Sequence, residues 1–223
     1  RAELRTVTPE LDKILDQSRV RAEGMLPRVA PGLTRLTPGL DTRSRHPVSY
    51  RWATDADKAK MGSNIAYFDE DKSEIVLNPA KLELLSEAEA QANLTVAIVH
   101  EMVHAAGGDE AAAYDATARA MAEIDQAAVA EGLDARYTWQ IDLIELLLAV
   151  ARERNIAGSV VPFDVIQLAE EVLIAKGDRA AVLGTLLNRL ESEVIAYNGT
   201  GVFEGMNGLR HAGTPDALLA LSN

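Results

Sequence analysis

The chain has 223 residues, 48% of them hydrophobic and 25% charged, with a formal net charge of −12. That length supports a well-buried core, read here as one compact unit with two lobes. The acidic balance, with no basic run anywhere, excludes an electrostatic grip on nucleic acid or on an anionic membrane surface.

The chain opens on Arg1 and not on methionine, which admits a soluble form secreted after removal of a signal or propeptide, although no such segment is visible. Thr8, Pro9 and Glu10 read as a helix start, with a cap, a proline at the first position and an acid in the first turn. Gly24 is the expected end of that helix. From Pro27 to Pro47 the prolines, glycines and threonines predict irregular chain.

In "PVSYRWAT", Val48, Tyr50 and Trp52 alternate with polar residues in the period of a half-buried strand. "NIAYF" and "SEIVLN" follow, and the three runs predict a small antiparallel sheet before Pro79. Ser86 with Glu89 forms a capping box, opening a helix that should run through His104 to Gly107 and Gly108. Asp109 can cap a helix to about Gly132. Further helices are expected over 134–155, 164–176 and 178–197, with a short one after Thr214. The most apolar stretch, "IDLIELLLAVA", is too short and too acidic to cross a bilayer, so no membrane insertion is expected. The fold class is therefore α+β: a small sheet on a central helix, then a mostly helical C-terminal half. The expected lobes are residues 1–132 and 133–223, packed as one unit.

The stretch that carries chemistry is "HEMVH". On a helix, residues four apart differ by about 40° around the axis and about 6 Å along it, so His100 and His104 project from one face. Each can bring a ring nitrogen to about 2.0–2.1 Å from one zinc ion. Glu101 then sits beside the metal and not on it, where its carboxylate can take a proton from activated water. The flanking Val96, Ile98, Val99 and Val103 predict burial, where two imidazoles cost free energy unless hydrogen-bonded or metallated.

With its HExxH helix, the preceding strand run "SEIVLN" and the acidic helix after it, the chain resembles the zincin metallopeptidases over residues 48–130, above all the gluzincins and minigluzincins. That resemblance implies a sheet over the active-site helix, with an edge strand able to pair an extended peptide or protein substrate.

A catalytic zinc takes three protein ligands and keeps one open position. The chain has no cysteine, and its other histidines, His46 and His211, lie in a proline-bounded loop and a glycine-rich tail, so the third ligand is expected to be a carboxylate. Glu110 is the leading choice, because Gly107 and Gly108 let the chain break and return, and "EAAAYD" fits the Glu-x-x-Ala setting of the glutamate branch. Glu193 in "ESEVIAYN" is the rival, and Asp109, Asp115 or no third protein ligand stay open. Glu110 also suits the dipole of a helix start without any metal. Tyr114, one turn after Glu110, is the candidate oxyanion donor, with Tyr197 after Glu193 as its counterpart.

The leading expectation is a zinc-dependent peptidase. Two alternatives are a zincin-like metal-binding module acting as an interaction or effector protein, and an acidic helical protein in which HEMVH is core. The negative charge favours basic or neutral peptides as substrates.

Overall fold

A computed structural model of the chain describes residues 9–33, 47–62 and 64–153, with isolated positions from 158 to 188. It is an α+β protein that divides into two compact units, Arg1–Gly108 and Asp109–Asn223. The first unit holds helix α1 (Pro9–Val29), strand β1 (Ser49–Trp52), helix α2 (Asp55–Met61), strands β2 (Ala66–Asp69) and β3 (Glu74–Leu77), and helix α3 (Glu87–Ala105). The second holds α4 (Glu110–Ala130) and α5 (Thr138–Glu153). No helix among the described residues is long and apolar enough to cross a membrane.

The sheet is mixed and not antiparallel as expected. Its order is β1-β3-β2, with β2 antiparallel to β3 and β1 parallel to it. The reason is α2, which carries the chain away after β1, so that β1 returns to pair with the second strand of the following hairpin. Thr54 opens α2 with a capping box to Asp57, and Gly62, at φ 56, stops it.

Helix α1 also departs from expectation, running through Gly24 to Val29. An interior glycine costs about 1 kcal/mol against alanine. Met25 and Val29 lie beyond it at 2% and 3% exposure, and burying such side chains contributes about 1.5–3 kcal/mol each, so packing outweighs the glycine. Pro27 falls in the last turn, and α1 ends within two residues of it.

Helix α3 is the core of the first unit and packs against both α1 and β2. Ser86 caps it as expected, accepting from Glu89 N while the Glu89 carboxylate accepts from Ser86 N. Thr95, Val96, Ile98, Val99 and Val103 are poor helix formers, costing up to about 0.7 kcal/mol each. All five are buried, and burial of the aliphatic ones is worth several times that penalty, so α3 exists because it is packed. Ser18 of α1 sits with its hydroxyl 3.2 Å from Gln91 O, joining the two helices.

Between β1, α2 and β3 lies an ion cluster. Arg51 donates from Nη1 and Nη2 to the Asp57 carboxylate at 2.6 and 3.1 Å, and from Nε to Glu74 at 2.6 Å. Thr54 adds its N–H at 2.8 Å and its hydroxyl at 2.6 Å, and the Tyr67 hydroxyl donates at 3.3 Å. The Arg51 guanidinium first, and Thr54 second, hold the Asp57 carboxyl well below the usual carboxylate range. A carboxyl lowered in this way stabilises the fold above its unfolded pKa of about 4 and loses that contribution as pH falls below it. Thermal midpoints should therefore drop as pH falls from 5 toward 3, and Asp57→Asn should flatten that slope. At pH 7 the same variant should lose about 3 kcal/mol, the low end for breaking a buried pair, because Arg51 keeps part of its side chain in water and retains Glu74. Equal pH slopes in the two proteins would contradict this.

In the second unit α4 packs against α5. Asp125 is 7% exposed and accepts the backbone N–H groups of Arg136 and Tyr137 at 2.7 and 2.8 Å. That grip holds the preceding turn, which is why α5 starts at Thr138 and not at Asp134. The helices expected over 164–176 and after Thr214 lie outside the described residues. Of 178–197, only a few positions are described, among them helical Ala180, Ala181, Gly184 and Asn188.

Candidate metal centre

The local chain from His100 to Glu110 builds the site in three steps. Helix α3 first places His100 and His104 one turn apart, with Nε2 of one 3.2 Å from Nε2 of the other and the rings edge to face at 72°. Two imidazoles on a tetrahedral zinc with bonds of about 2.0–2.1 Å stand about 3.3–3.4 Å apart at their nitrogens. The observed spacing is close to that.

Gly107 and Gly108 then end the helix. Gly107, at φ 85, takes the left-handed conformation that side chains resist. Its N–H donates to His104 O at 2.8 Å and that of Gly108 to Val103 O at 2.8 Å, the paired bonds of a Schellman motif. The turn also brings Gly108 O to 3.1 Å from His104 Nδ1. An Nδ1–H donating to that carbonyl fixes the tautomer and leaves the Nε2 lone pair for a cation. Sequence reasoning missed this partner. Its signal was the glycine pair one turn after His104.

Asp109 then caps α4, accepting from Ala112 N at 2.9 Å, which makes Glu110 the first helical residue. One donor atom from each of His100, His104 and Glu110 lies within 4.8 Å of the others. His100 is 4% exposed, His104 and Glu110 are half-buried, and Glu110 Oε2 is itself buried. Two imidazoles and a carboxylate are the donor set that zinc accepts in a cysteine-free site.

Glu101, 6% exposed, is not one of the three converging donors. Asp109 serves as the cap, and Asp115 pairs with Arg119 Nε at 3.0 Å; neither joins the cluster. Tyr114 is 3% exposed on α4, one turn beyond Glu110. Glu193, Tyr197, His46 and His211 lie outside the described residues. From β1, the Tyr50 hydroxyl donates to Met102 Sδ at 3.5 Å, tying the sheet to the motif helix, and burial pushes that hydroxyl above its ordinary pKa.

If Glu110 is the third ligand, Glu110→Ala should weaken zinc binding by several orders of magnitude while helix content stays nearly unchanged, since only a first-turn acid is otherwise lost. Chelator competition and circular dichroism measure the two. Unaltered zinc affinity would remove Glu110 from the site and make Glu193→Ala the next variant to measure.

Among known proteins, no family model, no curated protein and no solved structure matches this chain.

Proposed function

We propose that the chain is a zinc-dependent peptidase of the zincin kind, with His100, His104 and Glu110 as metal ligands and Glu101 as general base. The observation that carries the reading is the convergence of those three donors around the His-Glu-x-x-His spacing. A divalent zinc there, when bound, supplies the Lewis acidity that polarises a carbonyl and makes water a nucleophile near neutral pH.

The chain's own residues do the rest. Gly108 O holds the His104 ring and its tautomer. Glu101 follows His100 on the same helix and is almost wholly buried; the role assigned to its carboxylate is to accept the proton that water loses on attack and to return it to the leaving amine. Tyr114 is the donor assigned to the developing oxyanion. Strand β2 lies at an edge of the sheet and packs against α3, which suits pairing with an extended peptide.

The test is cleavage of a diverse peptide library by the zinc-loaded protein, with and without a chelator. Chelator-sensitive cleavage is the expected result. Stoichiometric zinc without cleavage of any library member would favour a metal-binding module that acts by interaction.

A further inference from the structure

We infer that Gly158 is a positioning residue for the ligand-bearing end of α4, an inference that rests on the proposed role of Glu110. A Cβ at Gly158 would stand 2.6 Å from Asp109 Cγ and 2.9 Å from its Oδ1, with Oδ2 nearer still. Real Cβ atoms essentially never come within 3.0 Å of another heavy atom, so a side chain at 158 and the present Asp109 carboxylate exclude each other. The backbone at Gly158 is not left-handed, unlike that at Gly132 and Gly177. Space is therefore what requires glycine here, not conformation.

The carboxylate that Gly158 accommodates is the cap of α4. Asp109 Oδ1 accepts from Ala112 N at 2.9 Å, and Asp109 O accepts from Ala113 N at 2.9 Å. Glu110 is the next residue. An aspartate side chain has only one carbon between backbone and carboxylate, so a shift of its Cγ away from position 158 also moves the Oδ1 that accepts from Ala112 N. Loss of that bond loosens the first turn, and with it the direction in which Glu110 presents its carboxylate. Gly158 thus acts on the site through Asp109, as a residue outside the ligand set orients one within it.

The experiment measures zinc affinity by chelator competition for the wild type, Gly158→Ala, Asp109→Ala, the double variant and Gly184→Ala, each with its thermal midpoint. Gly184 is the control, since a Cβ there meets nothing within 4 Å among the described residues. Gly158→Ala should bind zinc roughly ten- to a hundredfold more weakly, the range for residues that orient a ligand. Gly184→Ala should match the wild type. The double variant should bind no more weakly than Asp109→Ala alone, because the new methyl then has no carboxylate to displace. Wild-type affinity in Gly158→Ala, or simple addition of the two losses in the double variant, overturns the inference while leaving the metal site standing. Absence of zinc binding in the wild type overturns the metal site and this inference together. If Gly158→Ala fails to fold, recovery of folding on adding Asp109→Ala supports the inference and failure to recover overturns it.

Discussion

Glu101→Gln should lower chelator-sensitive peptide cleavage by about a hundredfold to ten-thousandfold, the usual contribution of a general base, with zinc content unchanged. Glutamine keeps the size of the side chain and its capacity to hydrogen-bond, and removes only the ability to take a proton. Glu101 is 6% exposed, so glutamine there has little freedom to move elsewhere. Its carboxylate stands outside the cluster formed by His100, His104 and Glu110, and this is why the metal should stay. Equal cleavage by both proteins would assign the activity to a contaminant. Loss of zinc along with activity would make Glu101 a ligand and contradict its proposed role as base.

The second large effect is expected at His100. Its Nε2 is 3.2 Å from that of His104, and the residue is 4% exposed, so His100→Ala removes one arm of the site. Zinc held by four ligands in small domains is worth roughly 10–16 kcal/mol, so one ligand's even share corresponds to an affinity loss on the order of a hundred- to a thousandfold. His211→Ala should keep its zinc. An equal loss in both variants would mean that the metal is held elsewhere or nonspecifically. Unfolding curves should accompany both, because the alanine at 100 also leaves a cavity in a packed helix.

Much of this architecture was legible because local signals and burial agree. The capping box at Ser86, the apolar run from Leu94 to Val103 and the glycine pair after His104 specify α3 at every level, and α4 follows from its Asp109 cap. Helix α2 was missed because it is only seven residues long and strongly charged, so its one firm signal was Thr54 three residues before Asp57. Strand pairing was misread for a different reason. Alternation in "SYRW" predicts a half-buried strand, but says nothing about which strand lies alongside or in which direction. Nor does periodicity reveal that Arg51, on that strand, would draw Asp57 and Glu74 into one ion cluster. The spacing of His100 and His104 followed from helix geometry alone. Placing Glu110 beside them required the Schellman turn, whose hydrogen bonds depend on the left-handed conformation of Gly107.

The metal itself is the most direct test. A neutral pair of histidines 3.2 Å apart can also share a hydrogen bond, His100 donating into the lone pair that Gly108 O leaves on His104, and such a pair would need no cation. The two states differ in composition, so elemental analysis separates them without any assumption about substrate. Protein purified without added metal and dialysed gently should carry about one zinc per chain, or take up about one when zinc is restored after chelation. No stoichiometric zinc, and none taken up on addition, would contradict the account and leave His100 and His104 as a hydrogen-bonded pair in the core of α3.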